Sequence, residues 1–128
     1  MLGPICSCSI TAGSGASAET VIMLGEGLKE VNNAINIMMG MLFGMICDGA
    51  KKSCALKASV AGGSAVEVAL LALNGVKVSD KDGFISREAD TTIRYAGEIC
   101  KAGFANVDKS VIDVMVRSIS GERCECCS

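Results

Sequence analysis

The strongest constraint on the fold is a run of apolar residues with helical spacing in the first half of the chain. Intervals of three or four residues separate Leu28, Val31, Ile35, Met38, Leu42 and Met45. This spacing predicts an amphipathic helix with these side chains on one face. From Met38 onward the opposite face is apolar as well, so we expect the second half of the helix to be buried all round. Cys47 lies at the predicted end of this helix.

A second helix is predicted to begin at Ala50 or Ser53 and to end at Asn74, because the pair Asn74-Gly75 favours helix termination. Residues 75–79 form the one plausible strand, and it is short. A stretch of small side chains at residues 11–18 can pack backbone against backbone, but only with a neighbouring element beside it.

Two more helices are predicted downstream. Ser86 is the expected N-cap of the first, which Gly103 closes, and Asn106 or Asp108 caps the last. The predicted class is therefore all-α, a compact bundle of about five helices. We expect a single segment over residues 1–120, followed by a cysteine-rich tail at residues 121–128.

Composition excludes several classes of function. The chain has 12 basic and 14 acidic residues, a formal net charge of −2 and no histidine. No basic stripe is available to follow a phosphate backbone, so we expect no nucleic-acid partner. Without histidine, Ser-His and Cys-His nucleophilic designs are not possible, and any metal must be held largely by thiolates.

The sequence also predicts a cytoplasmic protein with reduced thiols and no membrane span. The apolar run at residues 37–47 holds 11 residues, too few to cross a bilayer. No basic region precedes the apolar residues at the N-terminus, so a secretory signal is not predicted. Most of the eight cysteines lie in Gly-, Ala- or Met-rich surroundings rather than in a loop-rich secreted scaffold, which favours free thiols.

Cys47 and Cys54 are the candidate chemical residues. Six residues separate them, and Cys54 falls near the start of the next predicted helix, so the two thiols can converge on one loop. A helix N-terminus together with Lys51, Lys52 and Lys57 favours the thiolate of Cys54, which is the form that binds metal. Spacing alone leaves two interpretations open, a metal site and a pair of buried core thiols.

The segments around these cysteines resemble a known family. The matching motifs are Ala12-Gly-Ser-Gly-Ala-Ser-Ala, Ala34-Ile-Asn-Ile-Met-Met-Gly, Gly44-Met-Ile-Cys-Asp-Gly-Ala-Lys, Ser53-Cys-Ala-Leu-Lys, Ala69-Leu-Leu-Ala-Leu-Asn-Gly and Thr91-Thr-Ile-Arg. In this order they resemble the C-terminal part of iron-sulfur-dependent L-cysteine desulfidases and L-serine dehydratase alpha chains. The resemblance covers roughly residues 6–118.

This resemblance implies a helical fold with a [4Fe-4S] cluster held by three cysteines. Carried over by motif, the ligands are Cys6, Cys47 and Cys54, with Cys8 as the alternative to Cys6. An open iron would act as a Lewis acid on the β-thiol or β-hydroxyl of an amino-acid substrate. The implied reaction converts L-cysteine or L-serine to pyruvate and ammonia, with sulfide released from cysteine.

The same resemblance implies that the chemistry needs more polypeptide. The family carries a large N-terminal portion with much of the substrate pocket, so this chain would be one piece of a split enzyme, with a separate N-terminal chain as partner, or a truncated remnant. We expect the isolated chain to be inactive. Lys51 and Lys57 are candidate general bases by proximity, and solvated lysines are the alternative.

Three further hypotheses stay open. One cysteine among Cys124, Cys126 and Cys127 is a candidate fourth ligand, the alternative being a tail that binds adventitious metal or oxidises. A non-catalytic helical module that self-associates as a homo-oligomer is the competing function. A structural zinc site on Cys6, Cys47, Cys54 and a tail cysteine is the third.

Overall fold

The computed structural model describes residues 4–49 and 51–121, and its five helices confirm the predicted all-α class. The helices are α1 (Ser7–Met23), α2 (Leu28–Leu42), α3 (Lys52–Leu73), α4 (Ala89–Ala102) and α5 (Val107–Ser120). Helices α1, α2 and α3 all pack on one another, and α4 packs on α2. The bundle core is therefore built by the first three helices.

Small side chains join α1 to α3. Ser9, Gly13, Ser17 and Val21 recur every fourth residue of α1 and are buried. The facing stripe on α3 is mostly alanine, and its buried members are Ala61, Ala65, Val68, Ala69 and Ala72. Because these side chains are short, the two backbones can approach closely. Helix α3 is therefore the neighbouring element that the small-residue stretch requires.

Helix α2 fills the centre of the bundle. Met38 and Leu42 of the predicted face are buried, with Ile37 and Met39 beside them, whereas Leu28 at the start of that face is 83% exposed. Burial all round is wrong, however, because Met41 is 47% exposed. The helix also ends earlier than predicted, at Leu42. Met45 and Cys47 therefore lie beyond the helix, in an extended segment.

Residues 75–79, predicted as a strand, are not one. Helix α3 ends with Asn74 as its C-cap, as predicted, and Gly75 follows with φ +77°. The N–H of Val76 then donates to the carbonyl oxygen of Leu71 at 3.0 Å. The start of this segment is therefore bonded to the end of α3. The described residues include no strand with which the segment could pair.

The start of α4 differs from the prediction as well. Ser86 is not its N-cap, because the helix begins at Ala89 and Glu88 holds the capping position without a side-chain bond. Asn32 of α2 serves instead, since its Oδ1 accepts the N–H of Ala89 at 2.7 Å and its Nδ2 donates to the carbonyl oxygen of Arg87 at 2.7 Å. Asn32 thereby docks α4 onto α2.

The final helix lies at the edge of the bundle. Gly103 closes α4 and Asn106 caps α5, as predicted. Helix α5 buries none of its side chains. It lies near the segment after α2, where the Nζ of Lys51 is 3.5 Å from the Sδ of Met115.

By length and composition alone, α3 is long and apolar enough to cross a membrane. A helix in the core of a soluble bundle meets the same criterion. The alanine stripe of α3 packs on α1 and α2, and 28% of its apolar window is buried in the bundle.

Candidate cysteine site at one end of the bundle

Two extended segments bring Cys6 and Cys47 together. Ile5 and Ile46 form an isolated antiparallel bridge. On either side of it, the N–H of Cys6 donates to the carbonyl oxygen of Met45 at 2.7 Å, and the N–H of Cys47 donates to that of Pro4 at 3.1 Å. These bonds hold the two cysteines on neighbouring backbones.

Cys54 joins them from the first turn of α3. Its thiol interacts with the thiol of Cys6, which is the N-cap residue of α1. Seven residues further along each helix, Gly13 faces Ala61. Helices α1 and α3 therefore run parallel, and the positive ends of both helix dipoles point toward the cysteines.

The thiols do not ionise equally. Burial opposes ionisation of Cys6, but hydrogen bonds with the hydroxyl and backbone of Ser9 and the positive charge of Lys57 outweigh it, so the pKa of the Cys6 thiol is lowered. The Sγ of Cys6 lies 3.2 Å from the Oγ of Ser9. Cys6 is only 4% exposed, whereas Cys8 is exposed.

The prediction that Cys54 is the favoured thiolate is wrong. Desolvation raises the pKa of the Cys54 thiol, and the neighbouring thiols of Cys6, Cys8 and Cys47 raise it further. Desolvation is the largest of these causes, and it raises the pKa although Cys54 lies in the first turn of α3. Of these three thiols, that of Cys6 is close enough to form a hydrogen bond with the Cys54 thiol.

Lys57 is held close to the cysteines. Its Nζ donates to Asp48 Oδ1 at 2.6 Å and to the carbonyl oxygen of Ile46 at 2.8 Å. The hydrogen bond and charge of Asp48 raise the pKa of Lys57, and the Lys57 ammonium lowers that of Asp48. Lys57 is therefore protonated at neutral pH and is neither a free base nor a solvated lysine. Lys51, the other candidate base, lies beside Met115.

Comparison with known proteins identifies the family. The family model described as serine dehydratase alpha chain matches residues 1–113. The chain belongs to the serine dehydratase alpha chain family. Proteins of this family are generally associated with iron-sulfur clusters.

Several relatives carry the name UPF0597 protein. One from Desulfotalea psychrophila is 40% identical over 114 residues, which is 89% of this chain and 26% of that protein. One from Clostridium botulinum is 42% identical over 118 residues, covering 92% of this chain and 27% of the relative. This chain thus spans about a quarter of the length of the curated relatives it matches. No solved structure matches the chain.

The arrangement of the thiols bears on which kind of metal centre they could hold. Among residues 4–49 and 51–121, no three metal-ligating side chains are arranged to hold one metal ion. A zinc ion needs its ligands at bonding distance from a single point, so this arrangement does not favour zinc. In a four-iron cluster each cysteine binds a different iron, and the ligands are spread over the cluster. Cys6, Cys47 and Cys54, on two helix starts and one connecting segment, are the residues that would hold such a cluster.

Two of the cavities around the bundle lie near opposite ends of helix α2. A cavity of about 270 Å³ adjoins Cys47 and Asp48 on one side and Asp108 and Met115 of α5 on the other. A larger cavity of about 750 Å³ lies at the other end of α2, between Asn32 and Lys77, away from the cysteines. Of these two cavities, the smaller adjoins the candidate ligand Cys47, and a third of about 520 Å³ lies beside Ile46, Asp48 and Lys51.

Sequence reasoning missed two parts of this serine dehydratase alpha chain site. Ser9 was not singled out, although a hydroxyl three residues after Cys6 on a helix start is a signal that could have found it. The pairing of Lys57 with Asp48 was missed too, although each charge stands close in sequence to one of the cysteines. The tail cysteines Cys124, Cys126 and Cys127 lie outside the described residues.

Proposed function

We propose that this chain is the cluster-binding part of an iron-sulfur lyase that converts L-cysteine or L-serine to pyruvate and ammonia, with sulfide released from cysteine. The observation that carries the proposal is the convergence of Cys6, Cys47 and Cys54 at the N-terminal ends of two parallel helices. Membership of the serine dehydratase alpha chain family supports the lyase chemistry.

The proposed cofactor is a [4Fe-4S] cluster on Cys6, Cys47 and Cys54. When bound, the cluster would supply an open iron that polarises the β-thiol or β-hydroxyl of the substrate as a Lewis acid. The chain itself contributes thiolates, two helix N-termini and the Lys57 ammonium, which favour a negatively charged centre. The cavity beside Cys47 and Asp48 offers space for a small amino acid.

The general base is proposed to lie outside this chain. Lys57 is engaged with Asp48, and the relatives contain about three times as much additional polypeptide. We therefore propose a separate N-terminal chain of the same enzyme as the partner and an isolated chain that is inactive. The cytoplasm is the proposed location, since its reducing conditions keep such thiols free.

Anaerobic reconstitution with iron and sulfide tests the proposal. We expect the wild-type chain and a Cys100→Ser variant to take up iron and sulfide and to develop the broad visible absorption of an iron-sulfur cluster. Cys47→Ser and Cys54→Ser should lose it. A wild-type chain that stays folded and colourless would refute cluster binding.

A non-catalytic module that self-associates is the second candidate. It is favoured by exposed apolar side chains on two helices, which are Leu56, Val60, Val66 and Leu70 on α3 and Ile112, Val116 and Ile119 on α5. Such a module predicts a concentration-dependent oligomer that binds no cluster. Sedimentation of the reconstituted chain, with iron analysis of each species, distinguishes the two.

A further inference from the structure

Lys57 reaches across to the segment that carries Cys47. Its Nζ contacts the carbonyl oxygen of Ile46 and the carboxylate of Asp48, the two residues that flank Cys47. Both contacts are short, at 2.8 and 2.6 Å. One ammonium group therefore holds the backbone before Cys47 and the side chain after it.

Lys57 lies on α3 close to the candidate ligand Cys54, so its contacts connect two candidate ligands. Lys57 follows Cys54 by three residues, so the two are neighbours on one face of the helix. The segment around Cys47 lies outside the helices, and the N–H of Cys47 is bonded to the carbonyl oxygen of Pro4. Lys57 thus adds a link from Cys47 to the helix turn that presents Cys54.

The Lys57 side chain lies in a partly buried environment in which its charge is balanced. The side chain is 24% exposed, so it is partly shielded from water, and Asp48 balances its charge. The charge of the same ammonium lowers the pKa of the Cys6 thiol, and its hydrogen bonds to Ile46 and Asp48 place it beside Cys47. It is therefore adjacent to the candidate ligands on both extended segments.

We propose that Lys57 is a positioning residue for the cysteine site. It fixes Cys47 relative to Cys54 through Ile46 and Asp48, and its charge offsets that of the ligating thiolates. The role rests on the proposed cluster-binding function. Its mechanical part, the restraint of the Cys47 segment, also holds for the chain without iron.

The variants Lys57→Met, Lys57→Arg and Asp48→Asn test this role, with Lys52→Met as the matched control. Lys52 is an exposed lysine in the same first turns of α3. After anaerobic reconstitution, a chelator is added and the decay of visible absorption is followed. We expect Lys57→Met to lose the cluster about tenfold faster than wild type, a typical effect of removing a group that orients metal ligands. Lys57→Arg should fall between Lys57→Met and wild type, because it keeps the charge but its planar guanidinium differs in shape from the ammonium.

Hydrogen exchange of the iron-free chain provides a readout independent of the cluster. Lys57→Met should speed exchange in a peptide covering residues 44–49 by about tenfold and leave a peptide in residues 61–72 unchanged. Asp48→Asn keeps Lys57 and its bond to Ile46, so it should give a smaller effect in the same peptide. Should Lys57→Met unfold, both peptides would exchange rapidly. The exchange rate of residues 44–49 in Asp48→Asn would then test the restraint of the Cys47 segment.

The outcomes separate the two proposals. If the wild-type chain never forms a cluster but Lys57→Met still loosens residues 44–49, cluster binding fails and the restraint of Cys47 stands. If the wild-type chain forms a cluster that Lys57→Met retains as long as Lys52→Met does, with unchanged exchange at residues 44–49, the positioning role is overturned. Unchanged exchange at this segment in both Lys57→Met and Asp48→Asn overturns it as well.

Discussion

Gly13 of α1 faces Ala61 of α3 so closely that a Cβ added to the glycine would lie 3.3 Å from the Cβ of the alanine. The same Cβ would lie 3.5 Å from the Cε of Met38. This contact lets α1 and α3 run side by side, so that the thiols of Cys6 and Cys54 interact about two helical turns before it. Helix packing and the cysteine site are therefore coupled.

Replacing Gly13 by valine is expected to destabilise the chain. The branched side chain would overpack the contact with Ala61 and Met38, at a cost of about 1–3 kcal/mol in the free energy of unfolding. Gly15→Val is the matched control, because a Cβ at Gly15 meets nothing within 4 Å. Its effect should be within about 0.5 kcal/mol. Urea unfolding followed by circular dichroism measures both, and equal losses would mean that Gly13 is not a close contact.

The helices that could be predicted from sequence are those whose signals are local. The spacing of the apolar residues in α2 reflects burial on one face, and Asn74, Gly103 and Asn106 terminate or cap helices through neighbouring backbone. The start of α4 could not be predicted in this way. Its cap comes from Asn32, 57 residues away in sequence, and no local pattern records that bond.

The residues of the candidate site could likewise be predicted only where their sequence signals are local. Spacing alone could suggest Cys47 and Cys54, since they share one connection between helices. Cys6 entered only through the family resemblance, because an antiparallel bridge far from it in sequence brings it to Cys47. The pairing of Lys57 with Asp48 could not be predicted, because each charged side chain could equally have been exposed to water. The assignment of the three cysteines as cluster ligands stays a prediction.

Replacing Asn32 by alanine is expected to loosen the start of α4. The change leaves the N–H of Ala89 without its acceptor, and the carbonyl oxygen of Arg87 keeps only the longer bond, 3.4 Å, from the Nδ2 of Asn36. Loss of a helix cap typically costs about 1 kcal/mol in the free energy of unfolding. Hydrogen exchange should therefore speed up at residues 86–92. The control is Asn33→Ala, since the Asn33 side chain makes no hydrogen bond with the described residues, and an equal effect there would contradict the capping role.

Cys100 is expected to react slowly with alkylating agents and to make stability depend on alkaline pH. It lines an apolar cavity with Met39 and Ile93, and burial raises the pKa of its thiol. At neutral pH we expect alkylation at least about tenfold slower than at the exposed Cys8, as mass spectrometry of labelled peptides would measure. Equal rates would contradict the burial of this thiol.

The sign of the pH effect follows from linkage. A thiol whose pKa is raised by folding favours the folded state fully below its unfolded pKa of about 8.5, and this advantage is lost as pH rises through the folded value. Urea unfolding of the wild type should therefore show a loss of stability above about pH 8.5 that is smaller in Cys100→Ala. An identical pH profile in both chains would rule out this contribution.

The choice between Cys6 and Cys8 as third ligand can be decided by a matched pair of serine variants. Cys6 is buried beside Cys54, and its pKa is lowered through Ser9 and Lys57 despite burial, whereas Cys8 is exposed on the first turn of α1. A ligand must present a thiolate toward the cluster, so we expect Cys6→Ser to retain less than about a tenth of the bound iron and Cys8→Ser to retain most of it. Iron analysis after anaerobic reconstitution, with circular dichroism to confirm folding, gives the comparison. The reverse result would assign the site to Cys8, and it would require the first turn of α1 to rotate toward Cys54, because the helix start now directs Cys6 to that position.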